Sequence, residues 1–284
     1  MPEIAVRLIA FLLVGGAVWA LSRRFPMPEY GPQKVEPFDR WFLLVALALA
    51  GLVDEVFGPL LSGLAHHVYQ GAAAARVEVA GWSVTTQVIA YLIATDFLGY
   101  WAHRFMHTHA LWRIHALHHS ARSLNWFSGM RGSPLHMVVV LAPGALMASL
   151  FLLTENRVAF YTLLLIEMAS QHLTHSNLRL PFARQLEWFV VTPRMHFVHH
   201  HREAQFGNSN YGFYFSVWDH LFGTYIDADD VPNKGPLGLT EDYTKGSLFL
   251  GLQLREPAQD GNEDVGSAGH AAQHQNGVAA AEGK

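Results

Sequence analysis

The sequence predicts an all-α, polytopic membrane protein, and three observations carry that prediction. Of the 284 residues 51% are hydrophobic and only 15% charged, against about a quarter charged in an ordinary soluble domain. Five stretches are apolar over a length that suits a helix entering or crossing a bilayer. Most of the 18 histidines fall in three clusters at helical spacing beside those stretches. A net charge of −4 offers no basic excess to follow a phosphate backbone, so nucleic acid is not an expected partner. With no cysteine there is no disulfide framework, thiolate nucleophile or iron–sulfur cluster, and any metal must be held by nitrogen and oxygen.

The first apolar stretch, residues 4–21, lacks a basic leader, carries Arg7 and ends in Ser22-Arg23-Arg24 rather than at a small-residue cleavage site, which marks a retained helix rather than a signal peptide. The second begins near Trp41 and is apolar to Val53; Asp54, Glu55 and Pro59 then interrupt it, so it ends early or continues kinked to about Leu64. The third covers residues 84–101, with Asp96 near its end. The fourth (137–153) and fifth (157–172) are separated only by Thr154-Glu155-Asn156, the length of a tight helical hairpin. Residues 62–82 read as a small interfacial segment, and the tail from about Glu256 is too poor in large apolar residues to fold.

Short cytoplasmic loops retain arginine and lysine, and here those residues alternate. Arg23, Arg24, Lys34 and Arg40 follow the first stretch, Arg76 alone the second, Arg104, Arg113, Arg122 and Arg131 the third, Arg157 the fourth, and Arg179, Arg184, Arg194 and Arg202 the fifth. The pattern places the N-terminus outside and every histidine cluster on the cytoplasmic side. Five crossings satisfy it, as does a re-entrant hairpin for the last two stretches.

His103 and His107 lie four apart, on one face if the third helix continues. His115, His118 and His119 follow at i, i+3 and i+4, His196, His199 and His200 repeat that spacing, and His172 and His175 sit where the fifth stretch emerges. Eight to ten imidazoles therefore converge at one membrane surface. One ion of the zinc type takes three or four such ligands, so the number implies two metals; neutral imidazole suits iron, zinc, copper and nickel alike. His66, His67, His136 and His220 read as structural or interfacial side chains, His270 and His274 as solvated tail residues, and His201 falls off the face its neighbours share. Asp96 and Asp219 are candidates to accept a ligand's ring N–H and fix its tautomer, or else to end a helix and anchor a turn. Asn177, Asn208 and Asn210 suit helix caps or water, and Trp218 and Phe222 packing.

Taken in order, "HRFMH", "HALHH", "THSN", "HFVHH" and "YFSVWDHLFGTY" resemble the fatty acid hydroxylase and sterol desaturase superfamily of integral-membrane diiron enzymes, over roughly residues 95–225. The resemblance implies a helical membrane anchor with a cytosolic helical cap holding a dimetal site. Two irons would be bound by His103, His107, His115, His118, His119, His196, His199 and His200, with His175 matching the histidine of the H-S-N element and His172 an additional ligand from the helix before it. The chain is expected to divide into N-terminal spans and an interfacial segment (1–83), the diiron domain (84–255) and a tail (256–284). Family members often carry R-x-H-P-L-E after the second box; here Arg131 to His136 reads "RGSPLH", with Ser133 and His136 where the histidine and acid stand. No stretch suits a fused cytochrome b5, so electrons are expected from a separate ferredoxin or cytochrome b5-like donor with its reductase. The implied reaction is O2-dependent hydroxylation of an unactivated C–H bond of a fatty acyl or sterol-like lipid. Desaturation and carotenoid hydroxylation are the alternatives on the same site, and a non-catalytic membrane metal binder or transporter is the alternative of another class.

Overall fold

Each apolar stretch becomes a long helix. The computed structural model describes residues 2–151, 156–232, 234–240 and 243–251. Helix α1 runs Pro2–Arg24, α2 Pro37–Gly71, α4 Val84–Met106, α6 Pro134–Leu150 and α7 Arg157–Thr174. Caps written in the sequence start them. Pro37 opens α2 inside a reciprocal capping box between Glu36 and Asp39, Ser83 accepts from Thr86 N–H to start α4, Ser133 accepts from His136 N–H ahead of Pro134, and Asn156 caps α7. Among the described residues there is no β-strand, only an isolated bridge between His201 and Leu237. Thr154, Glu155 and the tail from Glu256 lie outside the described residues.

Two expectations about the second stretch are revised. It neither ends near Val53 nor stops at about Leu64: α2 keeps its helical register through Pro59 for 35 residues. One lost N–H costs less in an apolar setting than the unpaired backbone that a break would leave. The expected interfacial segment is accordingly the end of α2 followed by a short helix α3, Ala73–Ala80. Among the described residues only α1, over Val6–Arg24, is long and apolar enough to cross a membrane by length and composition, and α6 offers a shorter apolar run, Pro134–Ala148. In α4 and α7 polar groups lower the mean hydropathy, Asp96 and Arg104 in the one, Glu167 and His172 in the other. The long helices nevertheless turn large apolar side chains outward, including Leu44 and Leu60 on α2, Ile89 and Ile93 on α4 and Leu165 on α7, which is the reverse of a helix solvated by water.

α2 and α4 both pack on α6, and α1 packs on α7. At one end of this bundle sit the short elements α5 (His109–His119), α8 (Ala183–Leu186), α9 (Pro193–His199), α10 (Ala204–Gly207), α11 (Val217–Leu221) and α12 (Lys245–Leu250). Phe42 and Ala46 of α2, Ala116 and Leu117 of α5 and Leu248 of α12 form one apolar core there. Met27, Leu124, Phe197 and Leu237 form a second. Between them Arg131 is fully buried, its Nε 2.6 Å from Asp39 and its Nη1 donating to Ser120 at 3.0 Å. That ion pair fastens the start of α2 to the segment behind α5.

Candidate metal centre

Four chain segments bring nine histidines together. The last turn of α4 supplies His103 and, at its C-cap, His107; α5 supplies His115, His118 and His119; the C-cap of α7 supplies His175; α9 and its C-cap supply His196, His199 and His200. α9 is only seven residues long, and its start is fixed by Thr192, which accepts from Met195 N–H, with Pro193 at the first helical position.

The rings sort into two groups. His103, His107, His115, His119 and His199 form the first, His118, His175, His196 and His200 the second, and within each group the candidate ligand nitrogens all lie within 4.8 Å of one another. Nearest nitrogens are closer still: in the first group the His115 Nε2 lies 3.1 Å from that of His103 and 3.0 Å from that of His119. In the second, His175 Nε2 is 3.2 Å from His118 and 3.0 Å from His196, which is 3.1 Å from His200. The two H-x-x-H-H boxes are wired crosswise. The i and i+4 rings of α5 join the first group and its i+3 ring the second; the i and i+4 rings of the α9 box join the second group and its i+3 ring the first.

The outward nitrogens are held from behind. The Nδ1 atoms of His103, His118, His175 and His199 meet the carbonyls of Tyr211 (2.9 Å), Arg131 (3.1 Å), Gln171 (2.9 Å) and Ser209 (2.7 Å), and His107 meets the Asn208 amide oxygen at 3.1 Å. A proton donated to such an oxygen leaves Nε2 as a lone pair aimed inward. Burial, reinforced by neighbouring imidazoles, keeps the rings neutral. His175 is pulled down to about 4, and His115, His118, His119, His196, His199 and His200 lie well below the ordinary value of 6.5.

These residues fit metal ions. Neutral imidazole is the ligand form. Nitrogens 3.0–3.2 Å apart match adjacent ligands around an ion bound at about 2.1 Å. The Nε2 atoms of His107 and His199 are buried without a protein hydrogen-bond partner, a cost that coordination removes. Neither group contains a carboxylate, so of the nitrogen and oxygen donors that a chain without cysteine leaves, both groups use nitrogen alone.

His172 departs from its expected role. It is buried one turn before His175 but belongs to neither group: its Nε2 lies 3.3 Å from the Phe11 carbonyl, and its ring packs on Phe11 and Trp126. His175 reaches the second group because it stands at the helix end, where the chain turns away. Asp96 and Asp219 likewise touch no imidazole of either group. Asp96 accepts from the N–H groups of Phe213, Tyr214 and Phe215 and from the Trp218 indole. Asp219 accepts from Tyr211 and Gly212 N–H and from the Thr224 hydroxyl. Both therefore grip the 211–215 loop, whose Tyr211 carbonyl holds His103. Of the three asparagines only Asn208 meets a histidine of the groups; Asn177 bonds Met27 N–H and the Gly31 carbonyl, and Asn210 binds backbone of residues 195 and 226.

His66 and His67 are exposed on α2, and His220 stacks on Trp188. His201 is buried and accepts from Glu203 N–H outside both groups. His136 is the residue that sequence spacing missed. It is buried, stacked on His115 and His118, and its Nδ1 is 2.9 Å from the Nδ1 of His115. Its place in "RGSPLH" was the only sign of this. Gly132 makes room for it, since a Cβ there would fall 2.5 Å from the His136 ring.

Residues 88–224 match the family model for fatty acid hydroxylases. The chain is similar to the ornithine lipid hydroxylase of Rhizobium tropici, 33% identical over 65% of this chain and 54% of that protein. It is also similar to human lathosterol oxidase, 26% identical over 58% of this chain and 53% of that protein. To the alkylglycerol monooxygenase of Xenopus tropicalis it is 30% identical over 47% of this chain and 29% of the relative. The match thus spans about half the length of the first two relatives or less. No solved structure matches the chain.

Proposed function

From the premise that this chain belongs to the fatty acid hydroxylase and sterol desaturase superfamily, we propose that it is a membrane-bound diiron oxygenase that hydroxylates an unactivated C–H bond of a lipid. The observation that carries the proposal is the pair of histidine groups, five rings and four, at one end of a bundle with apolar flanks. The first group would hold one iron and the second the other. Two irons so placed would supply activation of dioxygen, with electrons from a separate ferredoxin or cytochrome b5-like donor. The protein's own part is positional. Backbone carbonyls and Asn208 orient the rings, His136 backs His115, and Asp96 and Asp219 hold the loop that carries Tyr211. Burial keeps bulk water from both groups.

The lipid substrate follows from the named activities of the relatives and from the outward apolar side chains of α2, α4 and α7. We infer further that these helices lie in the bilayer beside α1, with four or five crossings and the histidine groups facing the cytoplasm, and that residues 1–83, 84–255 and 256–284 serve as anchor, oxygenase domain and tail. Ligands gathered at helix ends on one side, rather than along a path through the bilayer, favour an enzyme over a transporter.

The test is purification without oxygen, metal analysis, and comparison of lipids from cells with and without the protein under 18O2. We expect two metal ions per chain and a lipid carrying one labelled hydroxyl. A chain that binds one ion or none would remove the diiron site, and an unsaturated product without label would replace hydroxylation by desaturation.

A further inference from the structure

The stretch that links α7 to α9 is turned inside out for a soluble loop. Between residues 182 and 189 the one acid, Glu187, is buried and bonded to Thr192, Arg194 and Tyr225. Phe182, Trp188 and Phe189 are 76%, 63% and 69% exposed. The exposure is built in rather than frayed. Trp188 is backed by His220, stacked at 4.7 Å, and His220 donates to the Glu187 carbonyl at 2.8 Å. Phe182 sits at φ +58°, a left-handed conformation that glycine or asparagine adopts with less strain than a bulky side chain, and its ring reaches no core.

The neighbours show what medium this ridge meets. Arg179 N–H donates to the Phe25 carbonyl at 2.8 Å, which ties the start of the ridge to the end of α1, the helix long and apolar enough to cross a bilayer. At that end Arg23 lies over the Trp19 ring and Arg24 over the Phe25 ring, and all three arginines are exposed. Cations beside aromatic rings at the end of a crossing helix form the side-chain belt of a membrane surface, and the cations complement anionic headgroups.

We propose that residues 179–189 are seated in the bilayer interface, with Phe182, Trp188 and Phe189 among the acyl chains and Arg23, Arg24 and Arg179 at the lipid phosphates. The occupant is the lipid surface of the protein's own membrane. The inference rests on the membrane reading above and adds that the cap itself enters the bilayer beside the histidine groups.

Because the chain has no cysteine, single-cysteine variants can be spin-labelled uniquely. Leu13→Cys in α1, Phe189→Cys in the ridge and Asp230→Cys on an exposed turn are placed in vesicles of phosphatidylcholine with a minority of phosphatidylglycerol. Collision with oxygen, enriched in lipid, is compared with collision with a water-soluble nickel chelate, and metal content verifies that each variant is folded. We expect the labels at 13 and 189 to favour oxygen several-fold and the label at 230 to favour the chelate. A label at 189 that favours the chelate while that at 13 favours oxygen overturns the ridge and leaves the membrane reading standing. Shielding of position 189 from both reagents would mean that a second copy or another protein covers it, and also overturns the proposal. If position 13 favours the chelate, the membrane reading itself falls.

Discussion

His118 and His199 each stand in a different group, so each tests one of the two sites. Alanine at either should abolish product and lower metal content, because losing a ligand alters coordination and potential together. His201→Ala and His220→Ala should keep both metals and substantial activity, read as labelled lipid per chain, since neither ring belongs to a group. His136 is the subtler case. His136→Ala should weaken metal retention in the first group by about 10–100-fold, the usual effect of losing a ligand's outer partner, and His136→Gln should restore part of it; competition with a chelator measures both. Acid should act on the same rings in metal-free protein. Unfolded histidine titrates near 6.5 and folded His175 near about 4, so between those values only the unfolded chain takes up the proton. Stability present above about 6.5 is therefore lost as the pH falls towards 4. Melting temperatures of the metal-free protein at pH 7 and pH 5 should show the drop. At this scale the sequence was largely readable: nine of the ten candidate ligands fall in the two groups. His172 and His136 exchanged expectations because their roles depend on which neighbour stands opposite, Phe11 for one and His115 for the other, and neither neighbour is close in sequence.

Helices place these rings only as well as they are themselves anchored. Arg131 joins the two duties, with its side chain paired to Asp39 of α2 and its carbonyl facing His118 Nδ1. Asp39→Ala leaves a fully buried guanidinium short of its nearest partner, and removing one member of a buried pair costs about 3–5 kcal/mol. We expect a loss of that order in thermal or denaturant unfolding in detergent, together with weaker metal retention, read by competition with a chelator. The starts of α4 at Val84 and of α7 at Arg157 agree with the expected stretches, whereas α6 begins at Pro134, three residues before its expected start, and α9 was not expected as an element. The passage of α2 through Pro59 was not legible, because the cost of a proline depends on what surrounds the backbone. Nor was the sorting of each H-x-x-H-H box between two groups, since spacing fixes which rings share a face but not how α5 and α9 cross.

At the scale of the whole molecule, composition announced helices and an apolar exterior, and the arginine alternation predicts which end of each helix faces the cytoplasm. A reporter fused after Lys284 should be cytoplasmic and one fused before Met1 external; a C-terminal reporter on the outer side would separate the histidines from soluble electron donors. How many helices cross remained illegible for a physical reason. α4 and α7 carry acids inside the bundle, bonded to backbone and to tyrosine, so their mean hydropathy understates how apolar their outer faces are. The crosswise wiring of the two boxes has a consequence for how the protein matures. In the proposed site neither α5 nor α9 would belong to one ion alone, so the first ion to arrive would hold both helices and thereby secure the other group. A second ion would then meet a site already fixed. Titrated with metal, the empty protein should pass from none to two with scarcely any half-filled chains, and a cell short of iron would hold a mixture of finished and empty molecules rather than a population of partly assembled ones.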